Sequence, residues 1–257
     1  MWLYNAFAGN KFMYLTQTTL YERLKMNTHR FHTVVHFNPE KERLIQLDFT
    51  EKNRDLKEIN PGNTEMLGQY INNVLQHSSA TFGFGGYNEL RVLYSCSDIF
   101  NRNLSEELTG RSVEEPRRLH LGIDIWGNEG TEIFAPWGGM VHSFAFNDDF
   151  GDYGATIILL HQLEGLPFFT LYGHVSLSDL QNVREGGYIS RGQKFAHFGK
   201  PEENGNWPPH LHFQVIQDIT PYKGDYPGVC RFSEREIYLR NSPDPDVILN
   251  MRRFIEQ

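Results

Sequence analysis

The stretch HLGIDIWGNEGTEIFAPWGGMVHSF, residues 120–144, shows the pattern that decides the fold. Short apolar runs alternate in it with Gly, Asn, Asp and Pro, and this texture continues to about residue 215. Further runs are ATIILLHQ (155–162), PFFTLYGHV (167–175), QKFAHFG (193–199) and HLHFQVI (210–216). Many short strands separated by turn residues are typical of an antiparallel sheet or barrel. The sequence therefore predicts a mainly β fold with an antiparallel, barrel-like sheet.

The residues before this stretch have a different texture and predict an α+β region. Apolar residues recur at helical spacing in 63–79, where Asn63 or Thr64 is the expected N-cap. Residues 30–50 alternate and contain β-branched side chains, which predicts two strands joined by an Asn-Pro turn. A short helix is expected around 18–25.

The chain of 257 residues is long enough for two parts. We predict an N-terminal α+β region of unknown role at 1–115, in which 1–25 form an arm or an extension. The second domain is predicted at 116–257, with its core at about 118–217 and a C-terminal extension. The net charge of −8 argues against a nucleic-acid partner.

The sequence predicts no integral membrane segment. No apolar run approaches the roughly 18–20 residues that a membrane helix needs. The aromatic-rich start, MWLYNAFAGNKFMYL, lacks the basic region of a signal peptide. This favours the cytoplasm, with the periplasm or the cell exterior as the alternative. Cys96 and Cys230 are expected to be core thiols, so nothing demands an oxidising compartment.

Two histidines one residue apart, His210 and His212, begin the last apolar run. On a strand, residues i and i+2 point to the same face, about 6–7 Å apart along the chain. Both rings are therefore predicted to face one cleft, while Leu211 points into the core. In such a cleft one ring can bind a metal while the other reaches the metal-bound water.

His120 and Asp124 are also candidate ligands, because a zinc site takes its ligands from His, Asp, Glu and Cys. On a straight strand the two would lie about 13 Å apart, too far to share an ion. If both are ligands, Gly122 must allow a bend or bulge between them. His174 is a further candidate, since it ends another apolar run directly after Gly173.

In this order, the His-x-x-x-Asp, Tyr-Gly-His and His-x-His patterns resemble the lysostaphin-type, LytM-like zinc metalloendopeptidases, the duplicated hybrid motif peptidases. The stretch 120–144 is similar to that family's run of His-x-Gly-x-Asp, Gly-Thr, Ala-Pro and Gly-x-Val. The segments that follow in the family's order are GDYGATIILLHQ (151–162), LYGHVS (171–176), GGYISRGQKFAHFG (186–199) and PHLHFQV (209–215). The resemblance covers about residues 118–217.

This resemblance implies a site with one zinc ion per chain. His120, Asp124 and His212 would be the zinc ligands, which leaves the fourth position to water, as hydrolytic zinc sites require. His174 and His210 would be two non-ligand active-site histidines. One of them would accept a proton from the zinc-activated water. The other would stabilise the oxyanion or protonate the leaving amine.

The implied function is hydrolysis of a peptide bond in peptidoglycan-type, cell-wall peptides or in glycine-containing peptides. The segment GKPEENGNWPP (199–209) departs from the family's short Gly-Thr-Gly-rich loop and is expected to border the substrate groove. Two alternatives stay open. One is a zinc hydrolase of the same mechanism that acts on another peptide or amide. The other is a non-catalytic LytM-like binding or regulatory module.

Three further patterns are interpreted as structural. FGFGG (82–86) lacks the lysine and the strand–loop–helix context of a phosphate loop, and we expect a flexible loop there. His32 and His36 would lie about 13 Å apart on a strand, so a second metal site is not expected. EIFAPWGGMVHSF (132–144) is similar to a lipoyl- or biotinyl-carrier hairpin but has no lysine at its tip.

Overall fold

A computed structural model describes residues 19–101 and 115–255. The α-helices in these ranges are α1 (Leu20–Met26), α2 (Thr64–His77), α3 (Arg235–Asn241) and α4 (Asp246–Leu249). The strands are β1 (Leu44–Leu47), β2 (Phe82–Gly85), β3 (Glu89–Leu90), β4 (Leu119–His120), β5 (Ile123–Trp126), β6 (Glu132–Phe134), β7 (Gly139–Asn147), β8 (Gly154–Leu163), β9 (Leu166–Val175), β10 (Tyr188–Ile189), β11 (Lys194–His197), β12 (His210–Ile216) and β13 (Val229–Cys230). Short 3₁₀ helices lie at Thr28–Arg30, Arg54–Glu58, Leu93–Cys96, Asp98–Phe100, Leu177–Asn182, Pro201–Glu203, Phe232–Glu234 and Arg252–Phe254.

An eight-stranded sheet organises the molecule, in the order β1-β2-β5-β12-β9-β8-β7-β10. This confirms the mainly β prediction. The sheet has β1 at one edge and β10 at the other, so it does not close into a barrel. It is also mixed, because β1 and β2 run parallel while the other neighbours are antiparallel. Parallel neighbours need a crossover connection, and α2 lies in it.

Helix α2 forms as predicted. Asn63 caps it by accepting a hydrogen bond from the Met66 N–H at 3.0 Å. Its buried residues are Leu67, Ile71 and Leu75, which lie in an apolar cluster that also contains Trp126 of β5. Helix α2, from the first half of the chain, therefore packs against β5, a strand of the second half.

Two expectations for the N-terminal residues are wrong. The glycine-rich stretch expected to be a flexible loop forms strand β2, because Phe82 and Phe84 are buried and its backbone pairs with β5. Residues 30–50 contain only strand β1. The segment expected to be the first strand makes separate backbone bonds to Phe134 and Pro136 instead of a regular ladder.

The main apolar core lies under the large sheet and draws on both parts of the chain. Leu24, Leu44 and Phe84 belong to the same buried cluster as Ile125 and Phe213. The division of the chain near residue 116 stays a prediction. Within the described ranges, no helix has both the length and the apolar character needed to span a membrane.

Candidate active site

The backbone bends between His120 and Asp124. Strand β4 pairs with β3 and β13, whereas β5 belongs to the large sheet. The strand is interrupted at Leu121 and Gly122 between them. Gly122 has no room for a side chain, because a Cβ there would lie 2.5 Å from the His212 ring. The bend brings His120 Nε2 to 3.2 Å from Asp124 Oδ1. The two side chains are therefore close enough to share an ion, as the sequence argument required.

Strand β12 brings the His-x-His pair to the same place. It lies antiparallel to β5, with His212 opposite Asp124 and His210 opposite Trp126. His212 Nδ1 lies 2.9 Å from His120 Nε2 and 3.1 Å from Asp124 Oδ1. All three side chains are buried.

Neighbouring acceptors fix the protonation of the two rings. His120 Nδ1 donates to the Gly86 carbonyl oxygen at 2.8 Å, and His212 Nε2 donates to Gln214 Oε1 at 3.0 Å. Gln214 is itself oriented, because its amide nitrogen donates to Ser242 Oγ at 3.0 Å. A neutral imidazole has one donor and one acceptor nitrogen. The nitrogens that face Asp124, His120 Nε2 and His212 Nδ1, are therefore both acceptors.

Three acceptor atoms thus converge, two imidazole nitrogens and one carboxylate oxygen, and they lie within 4.8 Å of one another. Such a cluster is unfavourable unless a cation lies among the three lone pairs. For zinc bonds of about 2.0–2.1 Å, the ligand atoms of a tetrahedral site lie about 3.3 Å apart, close to the separations seen here. Two histidines and a carboxylate are also a donor set that zinc accepts. The residues fit a zinc ion.

The surroundings keep these groups in their ligand forms. Burial, assisted by the nearby Arg91 guanidinium, lowers the pKa of His120 to about 4. Burial opposes the ionisation of Asp124, but His120 and Arg91 outweigh it and hold the pKa of that carboxyl well below its usual range. At neutral pH the site therefore offers a neutral His120 imidazole and an ionised Asp124 carboxylate.

His174 and His210 lie together beside the three acceptors, with ring centroids 4.1 Å apart. His174 donates through Nδ1 to the Asn204 carbonyl oxygen at 2.8 Å, and His210 donates through Nδ1 to the Pro208 carbonyl oxygen at 2.8 Å. The Nε2 atom of each neutral ring is consequently an acceptor. The His210 ring also stacks on Trp126 at 3.8 Å.

Both of these rings are neutral at physiological pH. Burial lowers the pKa of His210 to about 4, and burial together with the neighbouring His210 places the pKa of His174 well below its usual range. Each ring can therefore accept a proton through Nε2, and neither can donate through that atom until it has done so.

Asp124, His174, His210 and His212 line a cleft of about 300 Å³. One wall comes from the N-terminal residues Leu93, Tyr94, Ile99 and Phe100. The loop 199–209 contributes Trp207, so it borders the cleft as expected. A larger surface depression of about 910 Å³ surrounds Trp137 and Tyr188, but it includes none of the five candidate site residues.

Glycines give the site its space. A Cβ on Gly85 would lie 2.7 Å from Arg91 Nη2, and one on Gly173 would lie 2.4 Å from the Tyr153 ring. A Cβ on Gly228 would lie 1.9 Å from the Tyr153 hydroxyl. The side chains of Arg91 and Tyr153 therefore pack directly against the backbone of these glycines.

Sequence reasoning missed Arg91 and Gln214. Arg91 donates through Nη1 to Asp124 Oδ2, and both side chains are almost inaccessible. Its only signal in the sequence was a lone arginine within an apolar run. Gln214 had a clearer signal, because it continues the i, i+2 series of His210 and His212 on the same face of the strand.

The structure brings all five predicted residues into one site, namely His120, Asp124, His174, His210 and His212. Their division into zinc ligands and catalytic histidines stays a prediction.

Comparison with known proteins shows what this chain is similar to. Residues 118–223 match the model of peptidase family M23. An uncharacterized metalloprotease of Haemophilus influenzae is 31% identical over 164 residues, which are 63% of this chain and 31% of the relative. The chain thus spans about a third of the curated relative that it matches. The resemblance to LytM-like peptidases predicted from the sequence is confirmed.

Solved structures of peptidases are also similar to this chain. A zinc-containing peptidase from Vibrio cholerae is 27% identical, with 45% of this chain and 30% of that chain covered and a TM-score of 0.31. The catalytic domain of lysostaphin from Staphylococcus simulans is 24% identical, with 52% and 80% covered and a TM-score of 0.36.

Proposed function

Residues 118–223 match peptidase family M23, and from this premise we propose that the protein is a zinc metalloendopeptidase. Its substrate is a peptidoglycan-type or glycine-containing peptide. One observation carries the proposal: two sets of buried side chains meet in the same cleft. Three acceptors fit a cation, and two neutral imidazoles present Nε2 lone pairs beside them.

His120, Asp124 and His212 would hold the zinc ion, which when bound polarises the scissile carbonyl and makes water more acidic. The protein's own contribution is to orient the three ligands and to lower the pKa values of His120 and Asp124. The Gly86 carbonyl and the Gln214 amide orient the two rings through their outer nitrogens. Such partners around a metal site raise the basicity of its histidines and fix their tautomers.

The two remaining histidines handle the protons of the reaction. A water oxygen attacks the scissile carbonyl carbon, and Nε2 of His174 or His210 accepts the proton that the water loses. The same imidazolium can then donate this proton to the amide nitrogen as the carbon–nitrogen bond breaks. The carbonyls of Asn204 and Pro208 stabilise the charged ring, because they accept from Nδ1 in both protonation states.

The shape of the cleft supports a substrate with small side chains. Its volume of about 300 Å³ lies between the aromatic wall from the N-terminal residues and Trp207 of the loop 199–209. An extended peptide with glycine at the cleavage point fits between such walls more easily than one with bulky side chains. This supports glycine-containing or peptidoglycan-type peptides.

The test is hydrolysis of a panel of purified muropeptides and short glycyl peptides by the zinc-loaded, full-length protein. His210→Ala should lower kcat by roughly 10²–10⁴-fold, the usual contribution of a general acid or base. His77→Ala is the matched control, since His77 is exposed at the end of α2. Zinc content is measured for each protein by elemental analysis.

Cleavage that is lost in His210→Ala and kept in His77→Ala would support the proposal, and the position of the cut would identify the bond. A parent protein that binds zinc stoichiometrically but cleaves nothing in the panel would contradict the proposed substrate class. Equal activity in His210→Ala and the parent would contradict the catalytic role of that ring.

A further inference from the structure

Arg91 contacts the proposed metal site from outside the segment that matches the peptidase family. It lies just after β3, whereas the family match begins at residue 118. Its Nη1 atom donates to Asp124 Oδ2, and the two side chains are 2% and 3% exposed. A charge pair this deeply buried directly behind a candidate metal ligand calls for an explanation.

The guanidinium is held in place from several sides. Nε donates to Glu89 Oε2 at 2.8 Å, and Nη1 also donates to the Tyr94 hydroxyl at 3.2 Å. The Phe49 ring lies 5.4 Å beneath it. Arg91 therefore has a fixed position from which it can act on Asp124.

The contact divides the two oxygens of the Asp124 carboxylate between different partners. Oδ2 accepts from Arg91, while Oδ1 faces both His120 Nε2 and His212 Nδ1. A carboxylate without this restraint could rotate and present either oxygen, or both, to a cation. Arg91 thus selects the single oxygen that completes the cluster of three acceptors.

The pair is expensive to bury. Arg91 Nη2 is buried and has no hydrogen-bond partner among the residues that the structure describes. An unpaired buried donor costs free energy, and a buried ion pair is weak evidence of stabilisation. A role at the site explains the buried Arg91 side chain better than a contribution to folding.

We propose that Arg91 is a positioning residue for the metal site, which restrains Asp124 to bind zinc through Oδ1 alone. The inference rests on the proposed function, since it presupposes that the cluster holds zinc. Removal of a partner that orients a metal ligand typically lowers metal affinity or activity by about 10–100-fold.

The test compares four full-length variants with the parent: Arg91→Met, Arg91→Lys, Glu89→Gln and Glu89→Gln/Arg91→Met. Zinc affinity is measured by competition with a chelator, and cobalt(II) serves as a spectroscopic probe of ligand geometry. The double variant neutralises Glu89 at the same time as it removes Arg91, so Glu89 is not left as an uncompensated charge. Circular dichroism and thermal melting report on folding.

We expect Arg91→Met to weaken zinc binding by about 10–100-fold and to change the visible cobalt spectrum. Arg91→Lys should recover part of both, because a lysine ammonium can still donate to Asp124 Oδ2. Glu89→Gln should bind zinc like the parent. The double variant should fold like Glu89→Gln yet bind zinc as weakly as Arg91→Met.

Parent-like zinc affinity and cobalt spectra in both proteins that carry Arg91→Met, the single and the double variant, would overturn the proposal. Loss of binding that follows loss of folded protein in every variant would also overturn it, because Arg91 would then act on the fold alone. A parent that binds neither zinc nor cobalt would refute the proposed function itself. A parent that binds both but cleaves nothing would leave the Arg91 comparison valid.

Discussion

Residues 19–101 and residues 118–223 contribute different things to the same cleft. The second region supplies all five candidate site residues on strands β4, β5, β9 and β12. The first supplies none of them, yet it adds strands β1 and β2 to the sheet beside β5 and forms one wall of the cleft. The five candidate site residues thus come from one region, while the walls of the cleft come from both.

The residues that match the peptidase family therefore do not form the whole site by themselves. β5 carries Asp124, and its two neighbours in the sheet are β12 from the matched region and β2 from the region before it. The position of this proposed ligand depends on both. Three perturbations test this division between the two regions.

The largest effect is expected from separating the two regions. A chain of residues 116–257 lacks β2, so the backbone of β5 loses one ladder of hydrogen bonds and becomes an exposed edge. Phe82 and Phe84 also leave the main core. We expect this fragment to be unfolded or aggregated, as measured by circular dichroism and size-exclusion chromatography.

Co-expression of residues 1–115 with residues 116–257 is the control. If the first region acts by packing, the two fragments should reassemble and regain zinc binding. A fragment 116–257 that folds and binds zinc alone would show that the site is independent of the preceding residues, and the comparison would fail.

A smaller effect is expected from acid, and it should originate in the matched region. Burial lowers the pKa of His161 to about 4, below its value of about 6.5 in an unfolded chain. The folded state therefore binds fewer protons between these values. The contribution of His161 to the free energy of unfolding is fully present above pH 6.5. It declines by up to about 1.4 kcal/mol per pH unit as the pH falls toward 4.

Urea unfolding of the zinc-free protein at several pH values measures this slope. His161→Gln should flatten it relative to the parent, whatever its effect at pH 7. His77→Gln, at the exposed end of α2, is the matched control for the substitution itself. Parallel slopes for His161→Gln and the parent would show that His161 titrates normally in the folded state.

The smallest effect concerns the aromatic wall. Phe100 is 7% exposed, lines the cleft and contacts Tyr94 with ring centroids 4.6 Å apart. Phe100→Leu keeps the position apolar but removes ring surface, so we expect KM to rise roughly two- to tenfold with kcat little changed. Steady-state kinetics on a cleaved peptide measure both.

Phe232→Leu is the matched control, because Phe232 is 55% exposed and is not among the residues that line the cleft. A fall in kcat at constant KM for Phe100→Leu would show that the wall acts on the reaction step instead of on substrate binding.

Local sequence rules predicted the elements that local interactions determine. A cap at Asn63 or Thr64 and the shared face of His210 and His212 follow from spacing and geometry, and a bend at Gly122 follows if His120 and Asp124 share an ion. They required no knowledge of distant residues.

The missed features depend on partners far along the chain. The stretch Phe82–Gly85 becomes a strand only because β5 offers it an edge, and its glycines gave no sign of this. Arg91 acts on Asp124, 33 residues later, through a contact that no periodicity reveals. The five candidate site residues could be predicted because they lie in motifs, and their assignment as zinc ligands and catalytic histidines stays a prediction.

The glycines around the site also have a genetic consequence. Every glycine codon begins with two guanines, so any single-base change at its first or second position introduces a Cβ or ends translation. At Gly122, Gly173 and Gly228 that Cβ would fall within 2.5 Å of the His212 ring or a Tyr153 atom. These codons can therefore drift only at their third base, and selection for an open cleft should appear in the gene as synonymous variation at positions that carry no side chain.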